Sequence, residues 1–188
     1  MAMRVVAGKA KGVRLGSVPG NDTRPTSDRV KEALFNILQP RISNAVFLDL
    51  FAGNGGIGIE ALSRGAAQAV FVDAKSACTR MIKSNLTKAK LSGAEVLTMR
   101  VDRAIQRLGN LNQSFDIIFL DPPYGQGLIE PTLAAIYDAG IIQLDGMVVA
   151  EYGAKEDIDL SMSKFQLVRR EKYGDTVLGF FTLREDVE

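Results

Sequence analysis

The sequence predicts an α/β fold: a seven-stranded, mostly parallel sheet with helices on both faces, finished by an antiparallel hairpin. Three observations predict it. From Ala45 onward, short apolar runs alternate with helix-period segments at intervals of roughly 25 residues, the rhythm of βαβ units. Phe115 to Leu120 is apolar nearly throughout, as expected of a strand covered on both faces. Two final strand-like runs, Phe165 to Tyr173 and Thr176 to Leu183, are joined by Gly174-Asp175, a two-residue turn signal.

The elements follow in order. Val5, Val6, Val13 and Leu15 are strand candidates punctuated by Gly16, Pro19 and Gly20, which suggests a loose hairpin or arm. Thr26 or Ser27 is a suitable N-cap for a helix with Asp28 in its first turn. Val30, Ala33, Leu34, Ile37 and Leu38 share one face of that helix, and Pro40 is expected to end it. The core then begins with a strand over Val46 to Leu50, a glycine loop, a helix over Ile57 to Arg64 and a C-cap at Gly65. Strands at Ala69 to Val72 and Glu95 to Met99 flank a helix over Lys75 to Leu91. A short helix at Ala104 to Leu108 precedes the Phe115 strand. A helix over Leu128 to Ala139, with Pro131 in its first turn, leads to a strand at Met147 to Glu151. Residues 1–44 thus form an arm and helix, and residues 45–188 the sheet domain.

Composition narrows the chemistry. The chain has 188 residues, 46% hydrophobic and 24% charged, a length suited to one domain. Histidine is absent, which excludes imidazole bases, Ser-His-Asp and Cys-His nucleophile systems and His-containing zinc sites. A single cysteine, Cys78, excludes an internal disulfide and a multi-thiolate metal centre, so no metal is expected. Cys78, placed on the outer part of a helix start, reads as an incidental small residue. No apolar run approaches the ~20 residues of a membrane span, and the start lacks a secretory apolar region, so a cytoplasmic protein is expected. The net charge of +1 is uneven: residues 1–44 carry eight Lys/Arg against three acids, and the remainder is mildly acidic. A basic front suits an anionic partner, although scattered solvated charge reads equally well.

Asp49 to Gly58 sits where the first strand turns into a helix, and Gly53, Gly55 and Gly58 satisfy G-x-G-x-x-G. Glycines admit close approach of backbone to a ligand, and an acid after the second strand, here Asp73, can accept from ribose hydroxyls. That spacing alone fits NAD nearly as well as S-adenosylmethionine. Asp49 favours the latter: a carboxylate facing the ligand would repel a pyrophosphate but match an ammonium and a sulfonium. Asp102, expected at the end of the third strand, can reach an adenine amino group. Both acids could instead cap loops.

Asp121-Pro122-Pro123-Tyr124 follows the fourth strand, at the sheet edge where open α/β sheets bind ligands. An exocyclic amine on a nucleobase is a poor nucleophile because its lone pair is delocalised into the ring. The Asp121 carboxylate and the Pro122 carbonyl, aimed at its hydrogens, would favour pyramidal nitrogen and stabilise the developing charge. Prolines fix that direction, and Tyr124 offers a face for a stacked base. Two prolines and an acid also make an ordinary turn, but here the tetrad co-occurs with the glycine loop.

The chain resembles the bacterial 16S rRNA guanine-N2 methyltransferases of the RsmD type, which have the seven-stranded class I (Rossmann-like) methyltransferase fold. The resemblance rests on Met3-Arg4-Val5-Val6-Ala7-Gly8, the block Arg24 to Leu38, Leu48 to Gly53, Glu60 to Ala66, Asp121 to Tyr124 and Tyr173 to Thr176. Arg24 to Leu38 and Ser63-Arg64-Gly65-Ala66 are the more specific of these. It implies methyl transfer from S-adenosylmethionine to N2 of one guanine in small-subunit rRNA, by a protein that this length allows to be a monomer. By carry-over, Asp49, Gly53 and Gly55 would hold the methionine end, with Phe51, Ala52 and Asn54 also binding the cofactor, Asp73 the ribose, Asp102 the adenine and Asp121 to Tyr124 the target base. Family members more often have Ser at position 54 and Glu at position 73. Arg4, Lys9, Lys11, Arg14, Arg24 and Arg29 would contact phosphates, which position RNA without specifying sequence. Arg24 could alternatively brace the helix through an acid. Other readings of the residues are an adenine-N6 methyltransferase using the same tetrad, a non-catalytic nucleotide-binding scaffold and an NAD-dependent oxidoreductase.

Overall fold

A computed structural model describes residues 3–18 and 28–184. The expected cap at Thr26 or Ser27, and Arg24, lie outside the described residues. The elements are α1 (Asp28–Ile42), β1 (Val46–Leu50), α2 (Gly56–Ser63), β2 (Gln68–Asp73), α3 (Ser76–Ala89) and β3 (Ala94–Thr98). They continue with α4 (Val101–Asn110), β4 (Phe115–Leu120), α5 (Ile129–Asp138), β5 (Ile142–Gly153), β6 (Phe165–Tyr173) and β7 (Thr176–Leu183). The strands form one sheet in the order β3-β2-β1-β4-β5-β7-β6. The first five run parallel, and β7 is antiparallel to both β5 and β6.

Side chains alternate across the sheet, and this alternation builds two cores. Phe47, Phe71, Ile117, Phe119, Val149 and Phe180 point to one face, packed with α1, α2 and α3. Leu48, Val70, Val72, Ile118, Leu120 and Val148 point to the other, packed with α4 and α5. The strand order reverses at β1, which has β2 on one side and β4 on the other. The crevice outside the carboxyl ends of β1 and β4 is therefore the switch point where such sheets bind ligands.

The arm is a small hairpin, as expected. Val5 donates its N–H to the Val13 carbonyl at 2.9 Å, and Leu15 donates to Met3 at 2.8 Å. Val5, Ala10 and Leu15 are buried in the same core as α1, so the arm is fixed to the sheet domain.

Four expectations need correction. Pro40 lies inside the last turn of α1, which runs on to Ile42; a proline there costs one bond to the carbonyl of exposed Asn36, which water can replace. The third strand ends at Thr98, and Asp102 belongs to the first turn of α4, where an acid suits the helix dipole. Strand β5 starts five residues earlier than expected, because Ile142 pairs with Phe115 across an irregularity in register. Cys78 is wholly buried and contributes to the core.

Candidate functional site at the switch point

The carboxyl ends of β1, β2 and β4 open into a cavity of about 820 Å³. Asp49, Phe51, Ala52, Gly53, Asn54, Asp73, Asp102, Asp121 and Pro123 line it, and the arm closes one side through Met3, Leu15 and Gly16. Alternation explains the two central acids. Asp49 shares a face with Phe47, and Asp121 shares a face with Ile117 and Phe119, so both carboxylates fall on the side of α2.

Asp49 is 2% exposed, and its Oδ2 accepts the Gly58 N–H at 2.9 Å. Burial pushes its pKa up to about 8; the Gly58 bond opposes that shift, and the nearby Asp73 charge adds to it. Asp121 is likewise raised well above the usual carboxylate range, first by burial and then by the charges of Glu151 and Asp49. These acids sit where an anion is costly until a cation arrives. Asp73 caps the loop: its Oδ2 accepts from Gly53 N at 2.9 Å and its Oδ1 from Lys75 N at 2.8 Å. A carboxylate has about four acceptor sites, so capacity remains for a hydroxyl in the cavity. Asp102 is exposed and hydrogen-bonded to Arg100 Nε at 3.1 Å, which holds its pKa below the ordinary value.

The glycines have separate tasks. Gly55 adopts φ 80° as the N-cap of α2 and packs beneath the loop against Ile82. A Cβ on Gly58 would stand 2.3 Å from Phe71 Cε1, so this glycine sets the approach of α2 to β2. Neither Gly55 nor Pro122 lines the cavity, and Pro122 is buried. Tyr124 does not line the cavity either; it follows Pro123, which does, and is 46% exposed, with its hydroxyl donating to Glu151 Oε1 at 3.0 Å and 3.3 Å from Thr176 Oγ1.

The candidate phosphate contacts divide. Lys9, Lys11, Arg14 and Arg29 are exposed on the arm and α1. Arg4 is exposed but paired with Asp28 at 3.0 Å. Lys31, counted with the basic front from sequence, is wholly buried: Nζ donates to the Arg4 carbonyl and lies 3.5 Å from Glu60 Oε2. Burial lowers its pKa, partly offset by Glu60. Glu60 also accepts from Val6 N and Ala7 N, and Arg64 Nε donates to it while the Arg64 guanidinium lies 4.9 Å from the centre of the Phe35 ring. Ser63 Oγ accepts from Ala10 N and donates to the Ala7 carbonyl. The Glu60 to Arg64 stretch is therefore the dock for the arm.

Sequence reasoning missed Glu151, Asn85 and the Lys31–Glu60 pair as participants. Asn85 bridges the arm to the glycine loop, donating to Gly16 O at 3.1 Å and Asn54 O at 3.0 Å. Glu151, an acid closing an apolar strand at the ligand-binding edge, carried a readable signal; Asn85 on α3 carried none. Among the described residues, no acid or cysteine cluster is placed to hold a metal ion, and no helix is long and apolar enough to cross a membrane.

A mostly parallel sheet with this order and an antiparallel end, a glycine loop at the switch point and a tetrad beside it define the class I methyltransferase fold. Residues 3–182 match the family model described as "Conserved hypothetical protein 95", and the chain belongs to that family. YlbH of Bacillus subtilis is 38% identical over 97% of this chain and 100% of its own length. Ribosomal RNA small subunit methyltransferase D of Escherichia coli K12 is 33% identical over 92% of this chain and 85% of its own length. The solved structure of YhhF from Escherichia coli superposes with a TM-score of 0.83 at 32% identity, covering 97% of this chain and 98% of that one. SMU.776, solved in complex with SAH, shares the fold at 14% identity and a TM-score of 0.67 over 82% of this chain and 48% of that one.

Proposed function

We propose that this protein transfers a methyl group from S-adenosylmethionine to the exocyclic N2 of a guanine in small-subunit rRNA. The observation that carries the reading is the placement of Asp49 in β1 and Asp121 directly after the adjoining β4, both lining one cavity. The residues fit the cofactor: buried, proton-retaining carboxylates suit a cationic ligand, and Asp73 and the loop amides suit its polar groups. When bound, S-adenosylmethionine supplies an electrophilic methyl group on a positively charged sulfur. Asp49 would face the cationic end, Asp73 the ribose hydroxyls and Asp102 the adenine.

Asp121 accepts a hydrogen bond from the guanine amine and stabilises the positive charge that develops on nitrogen. A cation in the cavity favours the ionised form of Asp121 that this role requires. Tyr124, one residue beyond the cavity-lining Pro123, would offer its exposed ring to the extruded base. The exposed bases of the arm and α1 hold phosphates close to that mouth. The likeness to the small-subunit methyltransferase D proteins supports the substrate class.

The test incubates the protein with methyl-labelled S-adenosylmethionine and small subunits from cells lacking the modification, followed by nucleoside mass spectrometry. Label in N2-methylguanosine is expected. Label in N6-methyladenosine would assign the adenine reading, and no label in either nucleoside would overturn methyl transfer to rRNA.

A further inference from the structure

The residue after Ala150 in β5 is a glutamate, 3% exposed, at the carboxyl end of the strand next to the tetrad. Leu120 pairs with Ala150, so Glu151 lies in register with Asp121, on the sheet face that also carries Asp49. Its Oε1 accepts from the Tyr124 hydroxyl at 3.0 Å, and Thr176, at the start of β7, lies 3.3 Å from the same hydroxyl. The ring of Tyr124 is half exposed next to Pro123, which lines the cavity, while its polar end is held from the sheet. An aromatic platform that stacks a base needs one orientation, and an unheld tyrosine has two rotatable bonds that ordering must overcome.

We propose that Glu151 is a positioning residue for methyl transfer: through the Tyr124 hydroxyl it orients the ring that receives the base, from a strand position in register with Asp121. This rests on the reading of the cavity as the methyl-transfer site. The charged groups acting on Asp121 among the described residues are Glu151 on β5 and Asp49 on β1, both acidic, with the Tyr124 phenol on its own loop. Each acid raises the proton affinity of Asp121, so removing the Glu151 charge must lower it. Burial and the Glu151 charge together raise the pKa of the Tyr124 phenol, so it stays a donor throughout the working range.

Two variants separate the roles. Glu151→Gln keeps an acceptor for the phenol and loses the charge; Glu151→Ala loses both. With S-adenosylmethionine and unmodified small subunits, Glu151→Ala should lower kcat about ten-fold or more, with KM for the cofactor unchanged within two-fold. Glu151→Gln should recover most of kcat at its optimum, with the acidic limb of the pH profile moved down by about one unit. Tyr124→Phe and Glu151→Ala both remove the 3.0 Å bond between the two side chains, so their losses should not multiply in the double variant, which is slower than Glu151→Ala by no more than the 3.3 Å Thr176 contact accounts for. Independently of turnover, the Asp121 carboxyl carbon, followed by NMR, should titrate at lower pH in Glu151→Gln than in the unaltered protein. An unchanged Asp121 midpoint, or losses that multiply in the double variant, would overturn the proposal. Absence of turnover in the unaltered protein would instead fall on the methyl-transfer reading, with the NMR titration still deciding the link between Glu151 and Asp121.

Discussion

Replacing Glu60 by alanine tests whether one buried carboxylate fastens the arm and α1 to the sheet domain. Glu60 is wholly buried, with Val6 N at 2.8 Å, Ala7 N at 2.9 Å, Arg64 Nε at 2.8 Å and Lys31 Nζ at 3.5 Å. Its loss leaves Lys31, also wholly buried, as a cation bonded to the Arg4 carbonyl, repelled by Arg64 and attracted only by the charge of Asp28 among the acids acting on it. Breaking one half of a buried pair costs about 3–5 kcal/mol. The charge term has a ceiling, because Lys31 can shed its proton; from an ordinary value near 10.4, that costs about 5 kcal/mol at pH 7. For a chain of this length each kcal/mol moves Tm by about 2–4 °C, so a fall of about 6–20 °C is expected. The pH dependence has a definite sign. In the variant the folded-state pKa of Lys31 lies far below its unfolded value, so the unfolded chain binds more protons. Stability relative to the unaltered protein then rises as pH climbs from 7 toward 10. Thermal unfolding followed by circular dichroism at pH 7 and pH 9 measures both quantities. A loss under about 3 °C, or a deficit that does not narrow at pH 9, would refute the assignment of Glu60 as the fastening group. Adding Lys31→Met to Glu60→Ala should restore part of the loss, because the uncompensated charge is gone.

Other consequences are equally direct. Asp49, its pKa pushed up to about 8 by burial, is mostly protonated at pH 7 and should ionise when a cation binds. Calorimetry of S-adenosylmethionine binding at pH 7 in buffers of different ionisation enthalpy should show proton release, and Asp49→Asn should reduce it by the Asp49 share, leaving what Asp121 releases. Gly58→Ala places a Cβ 2.3 Å from the Phe71 ring, an overpacking that costs about 1–3 kcal/mol. Its urea midpoint should fall with an unchanged slope. Asp121→Ala should eliminate methyl transfer in the labelling assay while S-adenosylmethionine affinity stays within a few-fold, since Asp121 addresses the amine; retained turnover would show that the amine is activated by another group.

The resemblance blocks acquire distinct physical meanings once folded. Asp49 to Gly58 and Asp121 to Tyr124 border the cavity or support its loops, whereas Ser63 and Arg64 dock the arm and touch no cavity. Motif strength alone could not separate those tasks. The basic count of residues 1–44 likewise misled at Lys31, because a formal charge looks the same in sequence whether solvated or paired in a core. Read from sequence, Asp102 falls at a strand end, where an acid can reach an adenine amino group, yet the same residue type suits the first turn of α4.

Period and punctuation were enough to determine that this chain alternates strands and helices, ends in a hairpin and places a glycine loop and an acidic tetrad after the first and fourth strands. Those are local properties: each depends on a residue and its near neighbours in the chain. Only the tertiary structure decided which distant residues share the cavity. Glu151 meets Tyr124 because β5 lies beside β4 in the sheet, and Asn85 meets Asn54 because α3 packs under the glycine loop. The reason is physical. Strand order and the alternation of side chains across the sheet convert remote positions into neighbours, and burial then sets the charge that each carboxylate can bear.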